Sequence, residues 1–340
     1  FFLLDKRALS LYDLIMKKYI FLVVLLVVFA GLSAQNASLK TSKGFSIGAD
    51  FAYYPKSDKI PGSSHFAPIS GPFSGLEFRV VPSYTYTIFT PFSSNSLVSG
   101  NNLKIKTALE VSPVSLSPSI SVSFTPVAFL VFSSGAKIGS GWTFAPMNVN
   151  GMASYDPLSH SYEALSPFSS MNYSLWFEGL FQFDLAAVMP GDWNHVVFVA
   201  SYKPFYEAIT QGGENGNPWL WQGSGENVNA WQYYSNIIIA YQMPLVVQTV
   251  GVQTEFESFY SLDSFAPRYA EWNPVFTTIS INPLVNLQFS KNQNLIIQLG
   301  FSSRRSFTES SSSAENDLEK VYESREWYFK RLALSYSFSF

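Results

Sequence analysis

The chain has 340 residues, 47% of them apolar and 17% aromatic, yet only 13% are charged, with 21 Lys and Arg against 24 Asp and Glu. Soluble domains are usually about a quarter charged, so this composition implies an apolar surface, while a mean hydropathy of only +0.10 excludes a helical membrane bundle with its several runs of about 20 apolar residues. A formal net charge of −3 with no basic block excludes an electrostatic footprint for nucleic acid, and zero cysteines exclude a disulfide scaffold, a thiolate metal site and a thiol nucleophile.

Residues Phe1 to Ile15 read as an upstream extension outside the fold. Met16, Lys17 and Lys18 then precede an uncharged run of 14 residues, Tyr19 to Leu32, closed by the small residues Gly31, Ser33 and Ala34. A basic start, an apolar stretch and a small-residue cleavage site make residues 16–34 an expected signal peptide, too short to span a membrane as a helix. Cleavage before Gln35 leaves residues 35–340 as one exported domain.

From there period-two alternation dominates. Phe45, Ile47, Ala49, Phe51 and Tyr53 alternate with small or polar residues. Leu76, Phe78 and Val80 interleave with Glu77 and Arg79, and Tyr84, Tyr86 and Ile88 continue the pattern. Leu103, Ile105, Leu109 and Val111 interleave with Lys104, Lys106 and Glu110, and Val114 to Pro126 alternates apolar residues and prolines with Ser and Thr throughout. Tyr173, Leu175, Phe177, Phe181 and Phe183 oppose Glu178, Gln182 and Asp184. A strand with one face in oil and one in water reads this way. Confinement of the charges to one face predicts an apolar exterior around a polar interior.

Strands are expected near 44–54, 75–88, 102–111, 119–132, 134–144, 171–188, 195–206, 230–242, 245–259, 275–289, 294–303 and 327–340. Twelve is an even number, as bacterial barrels require, and ten or fourteen fit the same pattern with different readings of 112–118 and 134–144. Short connections at Pro190 to Asn194, Met243-Pro244 and Lys291 to Asn294 alternate with long excursions near 55–74, 145–170, 207–229, 260–274 and 304–326. The expected fold is therefore all-β, a transmembrane antiparallel up-and-down β-barrel of about 12 strands. The soluble alternative, a β-sandwich, is disfavoured by strand length and by aromatics at strand ends: Tyr53, Tyr84, Trp231, Tyr233, Tyr241, Phe289 and Tyr328.

At the end of the chain Leu334, Tyr336, Phe338 and the terminal Phe340 alternate with Ala333, Ser335, Ser337 and Ser339. This segment resembles the C-terminal insertion signal of bacterial outer-membrane β-barrel proteins. The resemblance implies recognition of these residues by the barrel assembly machinery, and an outer membrane of lipid and lipopolysaccharide as the chain's surroundings. It names no narrower subfamily, and barrel folds host many functions.

For function, the inward set is Glu77, Glu110, Glu178, Asp184, Glu255 and Glu257 against Arg79, Lys104, Lys106, Lys203, Arg304 and Arg331. Read as a pore, these line a constriction that sorts solutes. Read as a plug, they neutralise one another in a closed polar core. The three histidines, His65, His160 and His195, fall in loops or beside a turn with no partner motif, and no metal-ligand or phosphate-binding motif occurs. Neither catalysis nor a cofactor nor a metal is expected. Trp219, Trp221 and Trp231 read as loop packing and girdle, and the acidic run from Ser306 to Glu326 as a solvated loop. The leading expectation is a passive channel for small hydrophilic solutes; the alternative is a structural or adhesive barrel whose closed lumen supports ligand- or host-binding outer loops.

Overall fold

A computed structural model describes residues 40–62, 66–71, 75–90, 98–147, 149–308 and 317–340. The expected extension, signal peptide and cleavage position, all before residue 40, lie outside the described residues, as does His65.

Among the described residues eighteen strands follow one another: β1 (Thr41–Tyr54), β2 (Gly75–Phe89), β3 (Asn102–Ser112), β4 (Ser115–Val127), β5 (Leu130–Gly141), β6 (Thr143–Phe144), β7 (Val149–Asn150), β8 (Met152–Asp156) and β9 (Ser161–Ala164). The second half holds β10 (Asn172–Asp184), β11 (His195–Ile209), β12 (Trp219–Trp221), β13 (Ser224–Asn227), β14 (Ala230–Gln242), β15 (Val247–Phe259), β16 (Thr278–Ser290), β17 (Gln293–Phe307) and β18 (Tyr322–Ser339). Twelve of them close into a ring in the order β1-β18-β17-β16-β15-β14-β11-β10-β5-β4-β3-β2. Every neighbouring pair is antiparallel, and the ring is sealed where Ile47 meets Phe338 and Tyr53 meets Leu332. Closure leaves no strand edge with unpaired backbone groups, the condition for a sheet to sit in lipid.

Parity runs unbroken around most of the ring. Phe45, Ile47, Phe51 and Tyr53 stand opposite Tyr84, Pro82, Phe78 and Leu76, so one face of the wall is apolar across strands as well as along them. Among the described residues that face is uncovered over most of its extent, with Phe66 of the loop after β1 packing on Phe301 at the rim: Phe132 is 53% exposed and Ile239 59%. A large apolar face left uncovered all round a closed ring is a lipid-facing surface, and the fold is a transmembrane barrel. Its lipid-facing aromatics cluster on β10, β11, β14 and the end of β15, where Tyr202 stacks on Tyr233 at 5.9 Å between ring centres and Tyr206 meets Trp231 at 5.7 Å.

Three expectations shift. The 112–118 stretch is a tight hairpin, with Ser112 paired to Ser115, so the fourth strand starts at Ser115 and turns at Ala128-Phe129. The last strand begins at Tyr322, which moves Glu323, Arg325 and Glu326 out of the expected loop and into the wall. A register shift, with Gly300 paired to Arg331 but Phe301 to Phe329, leaves Lys330 as an extra residue and reverses parity in the upper part of β18, while β17 keeps its alternation. Beyond it Trp327 and Phe329 take the outward side, and Tyr328, expected in the girdle, lies with Arg304 stacked over its ring at 4.4 Å. A bulge adds one residue to one strand, so alternation read straight through it puts every later side chain on the wrong face.

At the terminal strand, Phe340 packs on Phe45 and Phe338, with ring centres 5.4 and 4.6 Å apart. Tyr336 and Phe338 oppose Ala49 and Ile47 on the outward face. Changing both to Asp should lower insertion of the refolded protein into vesicles, since each charge would face hydrocarbon at a depth-dependent cost below the ~2–4 kcal/mol of a basic side chain at the bilayer midplane. Wild-type yields of the heat-modifiable folded band from the double variant would contradict this placement.

Candidate functional site

The outward parity of β1 sends Ser46, Gly48, Asp50, Ala52 and Tyr54 inward, and the register carries that assignment from strand to strand. Glu77 and Arg79 on β2, Lys104, Lys106 and Glu110 on β3, and Glu178 and Asp184 on β10 fall on the inner face. Lys203 on β11, Glu255 and Glu257 on β15, Arg304 on β17 and Arg331 on β18 fall there too. They do not form one balanced set. Among the described residues Arg79 and Glu110 are the only two of the twelve that ion-pair with each other, at 3.1 Å.

The remaining pairs use residues outside that set. Arg79 also donates to Asp50 at 2.7 Å, and Lys137 on β5 donates to Glu110 at 3.2 Å. Asp50 accepts from Ser335 as well. Four strands, β1, β2, β3 and β5, are thus joined across the interior by two carboxylates and two cations. Farther round, Tyr54 donates to Glu77 at 2.7 Å, while Asn282 and Gln253 donate to Glu255 at 2.8 and 3.2 Å. Tyr234 also donates to Glu255. Lys203 lies over the Tyr234 ring at 5.1 Å, and Asn172 donates to Glu207 at 3.1 Å. Asp184 lies at the turn end, paired to His195 at 2.7 Å and away from the rest. Sequence reasoning passed over Asp50, Lys137, Glu207 and Glu326. For Asp50, Lys137 and Glu207 the one available signal was parity, since each is a charge on the inward alternation of its strand, whereas Glu326, read as part of the acidic loop, turns inward only through the bulge in β18.

Lys104 and Lys106 differ from the others. Both are exposed, and neither makes an ion pair among the described residues. Lys104 lies between Thr87 and Ser123 on the flanking strands, and Lys106 between Thr85 and Ser121.

The end of the barrel that bears the long excursions is covered. Strands β13, β12, β8 and β9 form a separate four-stranded sheet from two of these loops. Tyr155, Val228, Phe265, Tyr269, Trp272, Phe307 and Leu318 bury one another in a common apolar core drawn from four connections and the strand ends beneath them. Met152, Ile209 and Trp219 form a second. Twelve strands spaced about 4.8 Å and tilted about 40° make a ring about 24 Å across, backbone to backbone. The loop between β5 and β10 nevertheless reaches the one between β17 and β18, half the ring away: Tyr155 donates to Glu319 at 2.9 Å, and His160 Nδ1 is 2.7 Å from the same carboxylate. From the loop between β11 and β14, Gln222 reaches Glu110 at 3.1 Å and Ser115 at 2.8 Å on β3 and β4, about a third of the way round the ring. Such contacts can only run over the mouth. Gln222 adopts a left-handed φ of 53° at this tip, and Gly223 follows with φ 76°, so the chain reverses tightly enough to present the amide to the wall. Two of the three histidines therefore have carboxylate partners, which sequence spacing did not reveal because each pair is brought together by the fold.

The rim on the β1–β2 and β17–β18 side is held by charge. Glu326 is fully buried and accepts from Arg304 and from the Ile60 amide at 2.8 Å, while Arg304 also donates to the carbonyls of Ser57 and Asp58. Lys59 in the same loop contacts Asp317 and lies 4.9 Å above the Phe307 ring; burial lowers its ammonium pKa to about 8, even with Glu226 and Glu326 acting against the shift. Asp317 and Glu319 are thus occupied by protein groups, and Glu309 and Glu315 of the acidic run lie outside the described residues. Trp219 is buried and donates its indole N–H to Asn229 at 3.0 Å, whereas Trp231 stands on the outward face.

No family model matches the chain, and no curated protein does. Among solved structures it is similar to a KdgM porin in complex with disordered oligogalacturonate, at 12% identity and a TM-score of 0.36, over 87% of this chain and 99% of that one. It is similar to an outer membrane channel from Pseudomonas putida F1 at 9% identity and a TM-score of 0.41, over 90% and 98%. A third likeness is to the beta domain of the Bordetella autotransporter BrkA, at 11% identity and a TM-score of 0.39, over 88% and 100%. The architecture rests on the chain's own pairing and not on these likenesses: it is a closed, twelve-stranded antiparallel transmembrane β-barrel with a polar, charged interior and a loop cap over one mouth.

Proposed function

We propose that the protein is an outer-membrane channel for small hydrophilic solutes, with its outer mouth narrowed by packed loops. The observation that supports this best is that charged side chains of the inner wall stay open to water. The Arg79 side chain is 48% exposed although it holds two carboxylates, and Lys104 and Lys106 are exposed without such partners among the described residues. A sealed core would bury these groups at a desolvation cost of several kcal/mol each. Twelve strands also leave more room than the eight that side chains can fill. In this reading the C-terminal strand is the segment read by the assembly machinery, the turn end faces the periplasm, and the loop end meets lipopolysaccharide.

A second reading has the cap as the working part, a binding platform on a barrel that conducts nothing. The shared apolar core of the loops favours it, since such packing gives a fixed outer surface. Solute entry separates the two. Proteoliposomes holding the refolded barrel should admit glycine and arabinose and exclude stachyose, and the cellular protein should fractionate with the outer membrane and begin at or near Gln35. No entry of any solute would leave the platform reading alone.

A further inference from the structure

Resting on the channel reading, we infer that Lys104 and Lys106 form an oxyanion-binding site on the inner wall, so that the solutes favoured are small carboxylates or phosphates. The two lysines are two residues apart on β3 and so share the inward face about 7 Å apart. Each is flanked on both sides by a hydroxyl: Thr87 and Ser123 for Lys104, Thr85 and Ser121 for Lys106. Ammonium groups and hydroxyls are all hydrogen-bond donors and here share one strip of inner wall; Thr87 is buried, so Thr85, Ser121 and Ser123 are the hydroxyls open to a solute, and an oxyanion accepts from several donors at once.

The partner accounting points the same way. The nearest inward acid along the strand, Glu110, is already held by Arg79, Lys137 and Gln222. Asp50 is held by Arg79 and Ser335, Glu77 by Tyr54, and Glu255 by Tyr234, Gln253 and Asn282. With these carboxylates engaged, the lysine pair is left as like charges side by side, an arrangement that repels itself until an anion neutralises it. Basic rings and strips of this kind select anions in pores. Glu257 is an exposed inward acid as well, but it lies on β15, across the ring from β3.

The test is block of chloride current through the wild-type barrel in planar bilayers by inorganic phosphate. Millimolar phosphate should reduce the current, and the half-blocking concentration should rise at least tenfold in Lys104→Gln/Lys106→Gln while Lys104→Arg/Lys106→Arg retains the block. Heat-modifiable migration checks that each variant is folded. Absence of block in the wild type, or equal block in the folded Gln variant, overturns the site. Should the wild type carry no current, the channel reading fails, and the site stands or falls by phosphorus-31 line broadening of inorganic phosphate with the detergent-folded barrel. Broadening lost in the Gln variant supports it; no broadening, or broadening unchanged by the substitution, overturns it.

Discussion

Replacing residues 219–225 by a short Gly-Ser bridge should raise single-channel conductance several-fold. The segment carries Gln222, whose amide spans from the loop to Glu110 and Ser115 on β3 and β4, and Trp219, which is buried against Met152 and Ile209. Removing the segment deletes β12 and the start of β13, so the four-stranded sheet over the mouth loses an inner strand together with its wall contact. A ring about 24 Å across is wide enough to conduct once the obstruction goes. Gln222→Ala alone removes two hydrogen bonds of about 1 kcal/mol each, so it should leave mean conductance nearly unchanged and add brief open excursions. Folded bridge variants with wild-type conductance would show that the loops do not limit flow.

Glu326→Ala should cost about 3–5 kcal/mol, the usual penalty for stranding one member of a buried ion pair. The carboxylate is 0% exposed, and its loss strips Arg304 of its counter-charge and Ile60 of its acceptor while the Arg304 side chain stays 19% exposed. The effect reaches beyond one pair because Arg304 also fastens the carbonyls of Ser57 and Asp58, tying the loop after β1 to the rim of β17 and β18. Replacing both partners, as Arg304→Met/Glu326→Leu, should recover only part of the loss: apolar packing of similar volume is often equal to a buried ion pair, but the Ile60 amide and the Ser57 and Asp58 carbonyls still lack these partners. Urea midpoints in micelles at constant slope measure both; a loss below about 1 kcal/mol in Glu326→Ala would mean that water reaches the pair.

The barrel was legible because lipid outside and water inside impose period two on the strands; Leu332 to Phe340 displays it without interruption, and Leu103 to Val111 with a break only at Thr107 and Ala108. Legibility stopped where local sequence no longer decides geometry. Tyr328 is on the wrong side of a one-residue bulge, and nothing between Gly300 and Arg331 announces that bulge. Glu326 lies in a run of charges that reads as a loop, yet it is buried in a strand because Arg304 is opposite it. Inward charges such as Arg79 and Glu110 could be named from parity, whereas their further partners were passed over. Asp50 is a single charge in a small-residue stretch, and Lys137 lies where Gly135 and Gly139 blur the alternation. The cap was least visible, since Tyr155, Tyr269 and Leu318 are far apart in sequence and meet only over the mouth.

The reversal potential of the full barrel under a salt gradient, before and after Lys104→Glu/Lys106→Glu, tests the central claim most directly. Side chains on the inner wall never meet lipid, so the variant should fold normally. The wild type should conduct with a preference for anions, and the variant's reversal potential should move to the cation side. A folded wild type without conductance steps, or a folded variant whose reversal potential matches the wild type, would contradict an ion path along this wall.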